Sequence, residues 1–140
     1  MPGIRDFAVE ETGVLELLDA ADEPMMGADG KRMTITMYSP GSKQYAKAQA
    51  AKQNRMIEKL RKKGKIDETA EQKRREEAEF LADCTKEFSS NIEADGLVGK
   101  ELFKSVYSDI SIGFVAEQAG KFGGEWGNFS KPSTTSLAST

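Results

Sequence analysis

The chain has 140 residues, a length that predicts one domain with a modest hydrophobic core. Hydrophobic residues make up 38% of it and charged residues 31%, and the net charge of −3 gives no reason to expect a strongly acidic or basic partner. Histidine is absent and Cys84 is the one cysteine, which excludes Ser-His-Asp and Cys-His catalytic pairs, Cys/His zinc sites and internal disulfides within these 140 residues.

The two ends of the sequence differ in character from the middle. The first residues contain no apolar segment typical of a secretory signal, and no run approaches the roughly 18 apolar residues that span a bilayer. The last residues are low-complexity and polar. We therefore predict an N-terminal arm over residues 1–12, one domain over 13–129 and a polar tail over 130–140, with no membrane contact and an intracellular location.

Two segments near the N-terminus, residues 13–20 and 31–38, have the composition of strands. In the second, Met33, Ile35 and Met37 alternate with polar residues, which is the period of a half-buried strand. The intervening sequence ADEPMMGADG is rich in turn-forming residues. This pattern predicts a β-hairpin with a long connection, and the unpaired edges of such a hairpin favour self-association.

A long helix is predicted next, with Ser39 or Ser42 as its N-cap and Gly64 directly after its last residue, Lys63. Its apolar stripe is thin, and Tyr45 and Met56 lie beside it. The stripe consists of Ala46, Ala50, Ile57 and Leu60.

A second helix is predicted to begin at a cap formed by Asp67 or Thr69 and to start with a polar stretch. Its apolar face then follows at helical spacing and comprises Ala78, Leu81, Cys84, Phe88 and Ile92. We expect the two helices to form an antiparallel hairpin in which the two apolar stripes meet. Within that interface Cys84 is predicted to be a buried structural thiol.

Two short helices complete the predicted fold. One covers residues 99–108, and the other follows a cap formed by Asp109 or Ser111 and carries Ile112, Phe114, Val115 and Phe122. The predicted class is therefore α+β: an N-terminal β-hairpin, a long charged helical hairpin and two short C-terminal helices.

Polar clusters in the sequence do not form a recognisable catalytic or ligand site. Residues 43–65 carry nine Lys and Arg residues against the single acid Glu58, but acidic flanks and the lack of aromatic interleaving argue against nucleic-acid binding. The segment ADGLVGKE lacks the glycine and hydroxyl positions of a phosphate-binding loop. We predict no enzyme activity, no catalytic residues, no metal and no cofactor.

Aromatic residues are concentrated near the C-terminus. Phe103, Phe114 and Phe122, with Tyr107, recur at roughly helical intervals, which favours core over contact surface. Trp126 and Phe129 lie instead in the glycine-rich sequence GGEWGNF. Aromatics on such backbone either become ordered on a partner or fold back to close the core, and the sequence supports both readings equally.

Four local features, taken in order, resemble the tail assembly chaperones of long-tailed bacteriophages. They are the strand pair around its Gly/Asp loop, the charged helical hairpin, the short aromatic helix ELFKSVYSD, and the segment GFVAEQAGKFGGEWGNF, which is similar to an aromatic-Gln helix ending in an Asn-Phe pair. Together they cover most of residues 13–129. Many members of the family carry a tryptophan near the end of the charged helical region, where this chain has Phe88.

The resemblance implies a protein that oligomerises, performs no chemistry and keeps the aggregation-prone tape measure protein soluble in the host cell cytoplasm while the tail tube assembles. The major tail protein is a second candidate partner. We predict that the partner contacts the residues Leu102, Phe103, Tyr107, Phe114, Phe122, Trp126 and Phe129. Two other functions stay open: a virion structural protein, such as a head–tail connector, tail or capsid-associated component, and a nucleic-acid-binding regulator that uses the basic helix.

Overall fold

The computed structural model describes residues 3–64 and 69–131, which form an α+β fold as predicted. The described residues contain an antiparallel sheet with the strand order β1 (Thr12–Glu16), β2 (Thr34–Tyr38) and β3 (Thr85–Phe88). They also contain the helices α1 (Lys43–Lys63), α2 (Ala70–Asp83), α3 (Gly99–Ser108) and α4 (Gly113–Gly124). Short 3-10 turns lie at Ile4–Phe7, Ile110–Ile112 and Trp126–Phe129.

The predicted hairpin is confirmed, because β1 and β2 pair directly in antiparallel register. Ile35 and Met37 are fully buried while Thr34 and Thr36 are only partly buried, so the predicted alternation is also correct. Both strands are shorter than predicted, since the connection folds back on itself. Met25 lies between Leu17 and Met33, with its amide donating to the Leu17 carbonyl at 3.0 Å and its carbonyl accepting from the Met33 amide at 2.8 Å.

The third strand corrects the prediction that Phe88 and Ile92 lie on the second helix. α2 ends at Asp83, and the chain from Thr85 onward pairs antiparallel with the second edge of β2. Backbone groups along that edge would otherwise lack partners, so tertiary pairing overrides the helical spacing of the side chains. The Thr85 hydroxyl favours the change of direction because it donates to the Leu81 carbonyl oxygen at 2.7 Å, at the end of the helix.

Both predicted ends of the first helix and the predicted start of the second agree with the structure. Ser42, and not Ser39, caps α1, since its hydroxyl oxygen accepts a first-turn amide at 3.1 Å. α1 ends because Gly64 adopts a left-handed conformation with φ of 71°. Thr69 caps α2, whereas the alternative cap, Asp67, lies outside the described residues.

The C-terminal helices also agree with the prediction. α3 has the predicted bounds, and α4 carries Phe114, Val115 and Phe122 as predicted, whereas Ile112 lies in the 3-10 turn before it. Asp109 caps the 3-10 turn before α4 and not α4 itself, with its carboxylate accepting the Ser111 amide at 2.9 Å. The side-chain amide of Gln118 in α4 bonds both backbone groups of Leu18, at 2.9 and 2.7 Å, and so ties α4 to the hairpin connection. Of the predicted tail, residues 132–140 lie outside the described residues.

The apolar stripe of α1 faces solvent, which contradicts the prediction that it meets the stripe of α2. Ile57 and Leu60 are 52% and 42% exposed, and Ala46 and Ala50 are exposed as well. The opposite face of α1 contains Ala48, which is buried. The helical hairpin therefore forms as predicted, but α1 is rotated by about half a turn from the expected orientation.

Ion pairs explain this orientation of α1. Arg55 contacts both Glu76 and Asp83 of α2, and Lys59 Nζ lies 3.5 Å from Glu76 Oε2. These four side chains are only 20–34% exposed. Opposite charges in a partly dehydrated interface attract more strongly than in bulk water, so the cationic face of α1 packs on the acidic side of α2.

Replacing Arg55 with alanine is expected to lower the free energy of unfolding by about 1–3 kcal/mol, because Glu76 and Asp83 each lose one of the two cations that they contact. Urea unfolding followed by circular dichroism measures the change. The matched control is Arg75→Ala, which removes a pair with Glu71 whose side chains are 71% and 66% exposed. The Arg75→Ala variant should lower the free energy of unfolding by less than about 0.5 kcal/mol. Equal effects of the two variants would show that the pairs of Arg55 do not stabilise the hairpin.

The core lies where the sheet meets α2, α3 and α4. The predicted apolar face of α2 is confirmed at Ala78, Leu81 and Cys84, which are all buried. The buried hydrophobic residues are Leu17, Ile35, Met37, Ala48, Ala78, Leu81, Ala82, Cys84, Leu102, Phe103, Val106, Tyr107, Val115, Ala119 and Phe129. No helix in the described part of the chain is both long enough and apolar enough to cross a bilayer.

Candidate binding site

A cleft of about 610 Å³ runs along β3 and ends at the N-terminal half of α3; we call it the β3–α3 cleft. Because β2 is the central strand, β3 lies at an edge of the three-stranded sheet. The cleft is lined by residues of β3, of the loop after it and of α3. These are Lys86, Glu87, Phe88, Ser89, Ser90, Ile92, Glu93, Ala94, Gly96, Leu97, Val98, Gly99, Leu102 and Phe103.

Aromatic and aliphatic side chains provide the apolar lining. The ring of Phe88 lies 4.5 Å from that of Phe103 and 5.7 Å from that of Tyr107, measured between centroids. Leu102 and Phe103 are 7% and 9% exposed, so only a small part of each side chain is accessible. Packed aromatic pairs of this kind hold their positions, which makes the apolar lining largely preformed.

A smaller cavity of about 160 Å³ adjoins the β3–α3 cleft. Phe88 and Ile92 line both spaces, together with Glu93 and Ala94. The remaining lining of the smaller cavity is almost wholly apolar and includes Ile35 of β2 and Val115 of α4. The smaller cavity therefore lies between the cleft and the core.

Two exposed apolar residues stand at the rim, on the loop that leads into α3. Leu97 is 38% exposed and Val98 is 79% exposed. The glycines on either side, Gly96 and Gly99, have φ values of 69° and 59°, a conformation that residues with a Cβ rarely adopt. The backbone thus holds an apolar pair in solvent at the mouth of an apolar cleft, an arrangement typical of a contact surface for another molecule.

Charged and hydroxyl side chains at the cleft do not form a catalytic constellation. Lys86, Glu87 and Glu93 lie along the rim with the serines that follow β3. Among the residues that the structure describes, no three acidic or cysteine side chains are grouped so that they could hold a metal ion. An apolar centre with a polar rim is the usual composition of a protein-binding surface.

Leu102 and Phe103, two of the seven predicted contact residues, lie at the cleft, and Tyr107 lies behind them in the core. The Tyr107 hydroxyl is 2.7 Å from the hydroxyl of Thr85, which joins α3 to the start of β3. Burial raises the pKa of the Tyr107 hydroxyl well above its ordinary value, so the side chain stays neutral. In this conformation Tyr107 has almost no surface to offer a partner.

The other predicted contact residues lie elsewhere, and three of them are near β1, at the opposite edge of the sheet. Phe129 is 1% exposed, and its ring lies 5.3 Å from that of Phe122 between centroids. Trp126, in the same 3-10 turn, is 57% exposed. Phe114 is partly buried on α4. The seven residues therefore do not form one surface, and of the two readings of GGEWGNF, folding back onto the core applies to Phe129 alone.

A close approach of backbone fixes Phe129 beside β1. A Cβ on Gly13 would lie only 2.8 Å from Cδ1 of the Phe129 ring, so this position requires glycine. The Phe129 carbonyl oxygen accepts the Glu10 amide at 2.7 Å. Asn128 donates its side-chain amide to the Phe122 carbonyl at 3.1 Å, near the end of α4. The Asn-Phe pair thus closes the C-terminal end of the described domain.

Phe88, Ile92, Leu97 and Val98 are the cleft residues that sequence reasoning missed. The first two were assigned to the apolar face of a helix, since Cys84, Phe88 and Ile92 recur every four residues. The signal for the other two was present in the sequence GLVG, where an apolar pair is bracketed by glycines.

Cys84 is buried, as predicted, and is 1% exposed. Burial is the main cause that raises the pKa of its thiol to about 12, and the nearby Asp83 carboxylate adds to the effect. The thiol is therefore protonated at neutral pH and packs as a small apolar group.

Comparisons with models of known protein families, with curated proteins and with solved structures give no match to this chain.

Proposed function

We propose that the chain is a tail assembly chaperone of a long-tailed phage, and that it binds the tape measure protein in the β3–α3 cleft and keeps it soluble until the tail tube assembles. The observation that carries the proposal is the exposed pair Leu97 and Val98 at the mouth of an apolar cleft. The tape measure protein of this family is elongated, helical and prone to aggregate. Before the tail tube surrounds it, its apolar faces need such a surface to cover them. The resemblance of four sequence features to this family supports the choice of partner.

The arrangement of the cleft suits reversible binding. Its apolar lining is buried and preformed, whereas its accessible apolar surface is small and lies mainly on one loop. Interfaces of limited area with few anchor side chains are usually transient. A chaperone must release its client as the tube polymerises, so weak anchoring by Leu97 and Val98 agrees with the proposed role in the host cytoplasm.

Co-expression tests the proposal. The tape measure protein of the same phage is produced with and without this chain, and the soluble fraction of the tape measure protein is measured after centrifugation. We expect the soluble fraction to rise several-fold with the chain present and the two proteins to copurify. If the tape measure protein is equally soluble alone, the chaperone function is wrong. The same experiment with the major tail protein tests the second candidate partner.

The alternative of a virion structural protein is distinguished by quantitative mass spectrometry of purified particles. A chaperone should be absent or present in far fewer copies than the tail tube subunit, whereas a connector or capsid component should be retained in a fixed copy number. The alternative of nucleic-acid binding by the basic helix is weakened, because three of its cations pair with carboxylates of α2. They are Lys52, Arg55 and Lys59.

A further inference from the structure

The solvent-facing side of α1 carries an apolar stripe, interrupted by Gln53, that has no partner within the described residues. We call Ala46, Ala50, Ile57 and Leu60 the outer stripe. Their spacings of four, seven and three residues keep them on one side of a helix. At 1.5 Å per residue the outer stripe extends over about 21 Å, or four turns. The alanines at one end let another backbone come close, and the larger side chains at the other end offer anchoring surface.

The exposed charge on α1 is mainly positive. α1 carries eight Lys and Arg residues and the single acid Glu58. Lys52, Arg55 and Lys59 pair with carboxylates of α2, on the other side of the helix. The remaining five cations are exposed: Lys43, Lys47 and Arg61 flank one side of the outer stripe, and Lys62 and Lys63 lie in the last turn. Glu58 contacts Arg61 at 3.2 Å and offsets only one of them.

This charge distribution selects the occupant of the outer stripe. Two copies of α1 packed against each other would bring two strongly cationic helices together, and like charges at such positions oppose association. A helix with carboxylates beside its own apolar positions would be attracted to the exposed lysines and arginines while covering Ile57 and Leu60.

We propose that the outer stripe of α1 is a docking surface for an acidic amphipathic helix of another protein. The helix lies along α1, its apolar side chains pack between Ile57 and Leu60, and its carboxylates pair with Lys47 and Arg61 along one flank of the outer stripe. This surface is separate from the β3–α3 cleft, none of whose lining residues belongs to α1. The proposal therefore does not depend on the proposed function.

Fluorescence anisotropy with designed peptides tests this docking. The first probe is a labelled peptide of the same length as α1, with leucine at the first and fourth positions of each heptad and glutamate at the flanking positions. The matched control peptide has lysine in place of every glutamate. We expect the full chain to bind the acidic peptide, more weakly as salt increases, and not to bind the lysine peptide.

Variants locate the bound peptide on the chain. Ile57→Glu with Leu60→Glu should weaken binding of the acidic peptide by about tenfold or more. The double change removes both apolar anchor side chains, and the new carboxylates repel the glutamates of the peptide. Lys47→Glu with Arg61→Glu should also weaken it and should create affinity for the lysine peptide. Leu97→Glu with Val98→Glu, at the cleft, should leave binding of the acidic peptide unchanged. Circular dichroism checks that each variant is folded.

Three results would overturn the proposal. Equal binding of the two peptides would show that charge does not select the partner. Sedimentation that detects a dimer of the chain, lost in the Ile57 and Leu60 variant, would assign the outer stripe to a second copy. A short DNA duplex that competes fully with the acidic peptide would assign the surface to a polyanion. None of these results bears on whether the tape measure protein stays soluble.

Discussion

Replacing Phe129 with alanine is expected to lower the free energy of unfolding by about 3–5 kcal/mol, a large fraction of the stability of a domain this size. Phe129 is 1% exposed and packs against Phe122 and against the backbone of Gly13. Removing the ring leaves a cavity where the end of the chain closes over the sheet. Urea unfolding followed by circular dichroism measures the difference.

Trp126 provides the matched control, since it lies in the same 3-10 turn and is 57% exposed. Trp126→Ala should lower the free energy of unfolding by less than about 1 kcal/mol, although tryptophan has a larger side chain than phenylalanine. If the two variants are equally stable, the turn does not close the core and the glycine-rich segment is attached to the domain in another way. If Trp126→Ala lowers the free energy of unfolding more than Phe129→Ala does, the described packing of this turn is wrong.

Replacing Leu97 and Val98 together with glutamate is expected to reduce the amount of tape measure protein retained on the immobilised chain by about tenfold or more. The variant places two carboxylates at the mouth of the apolar cleft, where a bound apolar segment would have to dehydrate them. Stability should change by less than about 1 kcal/mol, since both residues are accessible and a carboxylate at the N-terminal end of α3 is favourable.

Two controls accompany the cleft variant. Ile110→Glu changes an apolar residue that is 72% exposed and does not line the cleft, so retention should be unchanged. Ile57→Glu with Leu60→Glu changes the outer stripe of α1 and should likewise retain the tape measure protein. If the outer-stripe variant releases it and the cleft variant does not, the client binds α1 and the assignment of the cleft is wrong.

Helix ends and strand alternation could be predicted from the sequence, because they depend on neighbouring residues alone. Gly64 ends α1 because of its left-handed conformation, and Ser42 and Thr69 cap their helices through their own hydroxyls. The alternation of Ile35 and Met37 also depends only on the period of a strand. None of these features requires knowledge of a distant residue.

Long-range pairing decided the parts that sequence reasoning missed. Residues 85–88 join the sheet because β2 has a second edge to fill, although Cys84 and Phe88 have helical spacing. The rotation of α1 depends on carboxylates of α2 such as Glu76, which lies 21 residues from Arg55 along the chain. Periodicity identifies the apolar face of a helix but does not say whether the neighbouring helix will cover it.

The same distinction applies to the candidate site. Leu102 and Phe103 were predicted as contact residues and do lie at the cleft. Phe129 was grouped with Trp126 because both lie in the glycine-rich sequence GGEWGNF, yet Phe129 is buried against Gly13 of a distant strand while Trp126 is left in solvent. Leu97 and Val98 were missed because exposure of an apolar pair depends on the conformation of the glycines that flank it.

Hydrogen–deuterium exchange on the chain, alone and in complex with the tape measure protein, tests the central claim most directly. The claim is that the β3–α3 cleft is the surface that holds this client. We predict slower amide exchange over residues 86–103 in the complex, with little change in α1. Slower exchange confined to α1 or to residues 126–129, with residues 86–103 unchanged, would contradict the claim.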